Sequence, residues 1–305
     1  MSNSRGGVQT GWGTASSSDG LFTVLRQQLS DLGVYLEITR PGNVAFTGVL
    51  TVIGAFVAGG ILTRPLAVCA AVVAATTVTA GGNTINDYFD RHIDAINRPD
   101  RPIPREAISA RTALLYSLAL FATGFVASLL LPLWGTVIVV GNALGLLAYT
   151  QVFKPLPGVG NALIAVVMPS NLLLGGAAVG DVAATMVLFA LAAVATLSRE
   201  IIKDVEDIDG DRQEGLRTLP IAIGESPSLW LGLASIVVAV AASVLPYLEG
   251  TFGTGYIVAV LPANVTMLAA ASYAFVDPGS GQRWLKAGMV FAALAFVVGR
   301  GTLLL

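Results

Sequence analysis

Two stretches of this chain gather oxygen-bearing side chains at helical spacing. Residues 83–104 read NTINDYFDRHIDAINRPDRPIP, and residues 198–220 read SREIIKDVEDIDGDRQEGLRTLP. At about 100° per residue, Asn83, Asn86, Asp87, Asp90 and Asp94 fall within an arc of roughly 100°. Glu200, Asp204, Asp207 and Asp211 fall within roughly 60° if the helix continues through Gly210, and Glu206 and Asp209 then point the opposite way. Two carboxylates about 6 Å apart repel by about 3 kcal/mol at an effective dielectric of about 20. A bound cation relieves that repulsion, where otherwise protonation or unfolding must. All-oxygen donor sets suit Mg²⁺, Mn²⁺ or Ca²⁺. Mg²⁺ characteristically takes one or two carboxylates and leaves positions for water and phosphate oxygens. One acidic run at a helix end is ordinarily a solvated face. Two such runs on the same side of a membrane, each with its acids on one arc, argue for a shared site.

Basic residues crowd the same stretches. Arg40 and Asn43 stand in TRPGN, Lys154 closes YTQVFK, Arg91, Arg98 and Arg101 flank the first cluster, and Arg199, Lys203, Arg212 and Arg217 flank the second. Some must anchor helix ends at lipid headgroups. A diphosphate, however, calls for metal ions and cationic donors together, and arginine offers bidentate geometry to its oxygens. The single cysteine, Cys69, and single histidine, His92, exclude an intramolecular disulfide and any thiolate or multi-histidine metal site.

The elements that must position these residues are apolar. Of 305 residues, 54% are hydrophobic and 12% charged, about half the charged share of a soluble domain, and the mean hydropathy is +0.75. Nine apolar segments are predicted near 44–62, 65–87, 112–131, 133–150, 159–179, 182–202, 228–247, 254–275 and 285–304. Gly, Ala and Ser within them permit close helix approach. Residues 1–20, Ser/Gly-rich and polar, read as a disordered tail. Leu21, Leu25, Leu29, Leu32 and Leu36 recur at helical spacing, which predicts an interfacial helix over 21–39, and residues 21–305 then form one transmembrane domain. Fifteen Lys and Arg lie on the N-terminal segment and the even-numbered connections, against Arg64 and Arg300 on the other side. That skew places the N-terminus and both acidic clusters in the cytoplasm. A cation-coupled transporter is the rival from another class, since intramembrane acids often mark ion routes. Its sites usually lie near the midplane on broken helices, whereas these acids sit at helix ends.

The paired motifs resemble those of the UbiA superfamily of membrane prenyltransferases. Asn86, Asp90 and Asp94 match its Asn-xxx-Asp-xxx-Asp pattern, and Asp207 and Asp211 its Asp-xxx-Asp pattern. IDAINRPDRPIP is also similar to a chlorophyll-synthesising branch, but REIIKDVEDIDGDRQEGLRTLP is more similar to the branch that adds the second prenyl chain to an archaeal ether-lipid precursor. The resemblance implies an all-α bundle of about nine transmembrane helices around a central cavity, capped on the cytoplasmic side. It implies Mg²⁺-dependent transfer of a geranylgeranyl group from its diphosphate to geranylgeranylglyceryl phosphate. An aromatic or chlorophyllide-like acceptor is the alternative. By the same resemblance Asn86, Asp90, Asp94, Asp207 and Asp211 hold Mg²⁺ on the diphosphate, with Asp87 and Asp204 as further ligands or as supports that orient ligands. Lys154, Arg40, Arg98, Asn43 and Lys203 are expected around the phosphate oxygens. Tyr149 is the expected aromatic face for an allylic cation, ahead of Tyr88 and Phe89. The partners are a prenyl diphosphate donor, a lipid-like phosphate acceptor and membrane lipid. Neither nucleic acid nor an obligate protein partner is expected.

Overall fold

The computed structural model describes residues 32–304, so the expected tail over 1–20 and residues 21–31 of the expected interfacial helix lie outside the described residues. The regular elements of those described are all helices, with no strand among them. Helix α1 (Leu32–Ile38) turns through 64° into α2 (Pro41–Val57). The corner is made by Arg40-Pro41. Proline disfavours the helical region for the residue before it and suits the first turn of the helix that follows. Arg40 accordingly leaves the helical region for a left-handed φ of 55°.

α3 (Pro65–Asn97) is followed by α4 (Ala110–Ser128), α5 (Leu133–Ala148), α6 (Val159–Val167), α7 (Ser170–Val179) and α8 (Met186–Glu206). The chain closes with α9 (Ile208–Gln213), α10 (Leu219–Ile223), α11 (Glu225–Ala242), α12 (Leu245–Leu248), α13 (Thr254–Tyr273) and α14 (Pro278–Leu304). Eight helical stretches, α6 with α7 counted as one, are long and apolar enough to cross a membrane. The ninth predicted span is α2, whose 17 residues reach that length only together with α1.

Six helices close a ring through successive contacts: α2 on α3, α3 on α5, α5 on α6, α6 on α8, α8 on α14, and α14 back on α2. α3 and α8, the two motif helices, stand on opposite sides of it. α4 packs on α3, while α11 and α13 pack against α8 and α14 and add Ala239, Tyr256 and Val260 to the inner wall. α7 crosses α2 so closely that a methyl on Gly54 would lie 2.1 Å from the Leu172 carbonyl, and one on Gly175 2.1 Å from that of Thr51. Leu118, Val126, Trp134, Val258 and Val265 are exposed on the outward faces of α4, α5 and α13, where an apolar solvent would meet them. α3, at 33 residues, is about 50 Å long and outreaches a hydrocarbon layer of about 30 Å. Its last turns, which carry the first motif, therefore project beyond the apolar layer.

The second motif corrects the sequence reading. Helix α8 stops at Glu206, Asp207 adopts φ −87° and ψ 2°, and α9 resumes at Ile208. The four acids do not share one continuous helix. Asp is a residue that favours helix ends, and the Asp207 carboxylate turns back to Lys203 at 3.2 Å. Asp207 and Asp211 nevertheless stay one turn apart, with the Asp211 amide donating to the Asp207 carbonyl at 2.9 Å.

Candidate active site

The ring encloses a cavity of about 660 Å³. Its first wall is the end of α3. Asn86 Nδ2 donates to Asp90 Oδ2 at 2.9 Å, Lys154 Nζ donates to the same oxygen at 2.9 Å, and Thr150 Oγ1 donates to Asn86 Oδ1 at 3.2 Å. Tyr149 and Lys154 both line the cavity because α5 ends in a π turn, Tyr149–Phe153, that is closed by the Lys154 amide on the Tyr149 carbonyl at 2.9 Å. The wider turn sets residues five apart above one another, and such turns are frequent at functional sites. Asp87 faces sideways, is only 4% exposed and is absent from the cavity wall. Arg40 Nη2 donates to it at 2.5 Å, and Arg101 bridges it at 3.3 Å to Asp94 at 2.6 Å. Asn83 Nδ2 holds the corner from below, donating to the Thr39 carbonyl at 2.8 Å.

The second wall is the end of α8 with α9. Lys203, Asp207 and Asp211 line it. Burial pushes the Asp211 carboxyl above the ordinary aspartate range. Asp204 lies off the cavity and accepts from Asn161 Nδ2 of α6 at 2.7 Å. Asp87 and Asp204 thus occupy matching places behind the two motifs. Glu206, expected on the far side, in fact lines the mouth, because the helix ends there and the chain turns.

Of the residues singled out in the sequence, Arg40, Asn43, Asn86, Asp90, Asp94, Arg98, Tyr149, Lys154, Lys203, Asp207 and Asp211 meet at this one cavity. Tyr88 and Phe89 do not; they stack edge to face on each other, with Arg91 over the Tyr88 ring at 4.7 Å. The deeper lining is mostly apolar or aromatic, with Phe46, Leu50, Leu172, Val260 and Phe296 around Tyr256, whose hydroxyl donates to the Ser243 carbonyl at 2.7 Å; Thr196, Ser243 and Asn264 are its polar members. Sequence reasoning missed Tyr256, Phe296 and Lys286 as lining residues. An aromatic within an apolar span carries no mark of the side it faces. Among the described residues no three of His, Cys, Asp and Glu stand close enough to enclose an ion by themselves. The first motif instead offers the Asp90 and Asp94 carboxylates with the Asn86 amide oxygen, and the second the Asp207 and Asp211 carboxylates. That set fits a hard cation that completes its shell from phosphate oxygens.

The sequence profile of the UbiA prenyltransferase family matches residues 47–297. The chain belongs to that family. Membership, with the long apolar helices, makes it a multi-pass membrane enzyme of the UbiA prenyltransferase type. Among relatives of known name, the digeranylgeranylglyceryl phosphate synthase of Natronomonas pharaonis is 60% identical over 266 residues, spanning 87% of this chain and 96% of that protein. The enzyme of that name from Methanopyrus kandleri is 42% identical over 267 residues, 86% and 97% of the two chains. A solved structure of a digeranylgeranylglyceryl phosphate synthase superposes with a TM-score of 0.76 at 32% identity, covering 88% of this chain and 98% of that one. A UbiA homologue from Archaeoglobus fulgidus, solved bound to DMAPP and Mg²⁺, shares the UbiA fold with a TM-score of 0.69 at 20% identity, covering 87% and 97%.

Proposed function

We propose that residues 21–305 work as one UbiA-type domain that transfers a geranylgeranyl group from geranylgeranyl diphosphate to geranylgeranylglyceryl phosphate, with the cavity opening to the cytoplasm. The observation that carries this reading is two oxygen-rich helix ends facing each other over an apolar chamber, in a chain 60% identical to an enzyme of that name. Asn86, Asp90 and Asp94 of α3, with Asp207 and Asp211 across the cavity, would hold Mg²⁺. When bound, the ion withdraws charge from the diphosphate and makes it a better leaving group. Lys154, Arg40, Arg98 and Lys203 supply fixed donors to the remaining phosphate oxygens, and Asn43 lies beside Arg40 at the same rim. Asp87 and Asp204 position these groups from behind. Asp87 fixes Arg40 and Arg101, and Asp204 is held by Asn161.

In the reaction the bond between the prenyl carbon and the diphosphate oxygen breaks, and its electron pair leaves with the diphosphate. The acceptor hydroxyl oxygen forms the new ether bond, and its proton passes to a carboxylate of the site or to the released diphosphate. The apolar lining keeps water from the allylic cation, and the Tyr149 ring, which lines the same cavity as the Asp90–Lys154 pair, offers it a π face.

The test is transfer by purified protein from labelled geranylgeranyl diphosphate to a panel of acceptors. We expect a product from the glyceryl phosphate ether. Efficient prenylation of hydroxybenzoate or chlorophyllide with none of the ether would overturn the acceptor assignment. Asp90→Asn and Asp207→Asn should each lower transfer by about 100-fold or more while the protein stays folded, and the double variant should fall no further, since groups that act as a unit fail together. Asp209→Asn, on a side chain 88% exposed, should cost little. Glu206 is unsuitable as a control because it lines the mouth.

A further inference from the structure

Helix α8 runs toward the motif end of the cavity, and α14 starts there. The two meet where a methyl on Gly279 would lie 2.7 Å from Glu206 Oε1. They are therefore antiparallel, and deeper in the bundle Leu188 and Phe296 share one apolar cluster, in keeping with that register. Seven residues back along α8 from Glu206 is Arg199, and seven onward along α14 from Gly279 is Lys286. Seven residues make just under two turns, about 10 Å of depth, and drift only about 20° around the helix. Arg199 and Lys286 thus stand at one depth on neighbouring helices, and both line the cavity.

Their charges are not balanced. Among the described residues no carboxylate lies within 4 Å of Lys286, in contrast to Lys154 on Asp90, Arg101 on Asp94 and Lys203 on Asp207. Arg199 Nη1 holds Glu200 at 2.6 Å, but its Nε is buried without a hydrogen-bond partner. Two cations and one acid leave a net positive wall, with an unused donor, away from the α3 motif. Below them the same two helices present Ala192 and Ala195 from α8, and Met289 and Ala293 from α14, to the cavity. A charged upper end over a smooth apolar strip matches a lipid with a phosphate head.

We propose that Arg199 and Lys286 form a subsite for the phosphate of the acceptor, with its isoprenoid chain lying in the strip between α8 and α14. This rests on the acceptor proposed above. A phosphate monoester carries up to two negative charges at neutral pH and accepts the fork of an arginine. Holding it on the α14 wall keeps it apart from the diphosphate of the donor, which the α3 wall and α9 receive.

The experiment compares wild type, Lys286→Met and Lys286→Arg on the glyceryl phosphate ether and on its dephosphorylated counterpart, with thermal unfolding as the check on folding. Lys286→Met should lower kcat/KM for the phosphorylated acceptor by about 10- to 100-fold, through KM. The donor KM should stay within about twofold, and Lys286→Arg should recover most of the loss. The dephosphorylated ether should be equally poor for all three proteins. Binding of the phosphorylated ether to EDTA-treated protein, measured calorimetrically, should weaken in parallel. A rise in donor KM instead would assign these cations to the diphosphate and overturn the subsite. Equal losses on both acceptors would overturn it as well, and no loss at all would leave Lys286 a headgroup anchor. Failure of the wild type to use any phosphorylated ether would overturn the acceptor reading itself, and shows before any variant is made.

Discussion

At the residue scale, the instructive carboxylates are the two that lie behind the motifs. Asp87 shares a helix face with Asn86 and Asp90, but the cavity takes only part of the roughly 100° arc on which the sequence places them. The remainder faces α2 and the segment after α3, where Arg40 and Arg101 close on Asp87. No spacing rule separates these two fates, because both are polar environments. Arg40 pays for the corner with a left-handed backbone, which costs a non-glycine residue of order 1–3 kcal/mol. Its ion pair to Asp87 and the Asn83 bond to Thr39 hold it there. Asp87→Asn should therefore leave Arg40 and Arg101 without a shared counter-charge and lower transfer by about 10- to 100-fold, the range for a group that orients ligands. Its mark is a fall in unfolding temperature together with activity. Asp90→Asn, at a group facing the cavity, should lower activity alone. An Asp87→Asn protein as stable and active as wild type would remove Asp87 from the support of the site.

At the scale of elements, the π turn after α5 decides whether Lys154 reaches Asp90. Deleting Gln151 should relax Tyr149–Phe153 to an α-helical turn in which Lys154, now four residues past Tyr149, keeps nearly its place, whereas inserting an alanine after Gln151 should swing Lys154 about 100° around the axis. Transfer should survive the deletion within about tenfold and drop about 100-fold in the insertion, with little change in unfolding temperature; full activity in the insertion would show that the turn does not place the lysine. The α2–α7 crossing supports a different expectation. Gly54→Leu would drive a side chain into the Leu172 backbone and should unfold the bundle, seen as loss of monodisperse protein in detergent. These two elements mark where legibility ends. The helix of the first motif could be read in full, since α3 continues unbroken past it, but not which of its carboxylates faces the cavity. Over the second the same arithmetic failed at Asp207, where the polar run has no apolar period to report a break. The π turn adds one residue to a turn without changing composition, and nothing in YTQVFK announces it. The Arg40-Pro41 corner was half visible: the proline could be read, the left-handed arginine could not.

At the scale of the molecule, the number of crossings follows from which ends meet. Arg40, at the start of α2, pairs with Asp87 near the end of α3, yet the chain re-enters α3 from Pro65 at the other end. α2 therefore runs the depth of the bundle despite its 17 residues, about 25 Å, and α1 stays on the motif side. At the opposite end a methyl on Gly59, just past α2, would lie 2.9 Å from Arg300 Nη2 near the end of α14. The first span thus begins, and the last finishes, on opposite faces, as nine crossings require. From the distribution of basic residues, with Arg64 and Arg300 alone on the other side, we propose that the motif face is cytoplasmic. Cys69 is exposed and must first be removed as Cys69→Ala before cysteines are used as labels. On that background Asp100→Cys and Arg217→Cys should react with an impermeant maleimide only from the cytoplasmic side of oriented vesicles. Thr63→Cys and Glu249→Cys should react only from outside, as should a cysteine at Leu304. Reaction of Leu304→Cys from the cytoplasmic side would reduce the crossings to an even number and break the ring at α2. Reaction of Asp100→Cys and Arg217→Cys from opposite sides would separate the two motifs and leave no cavity for a diphosphate to bridge.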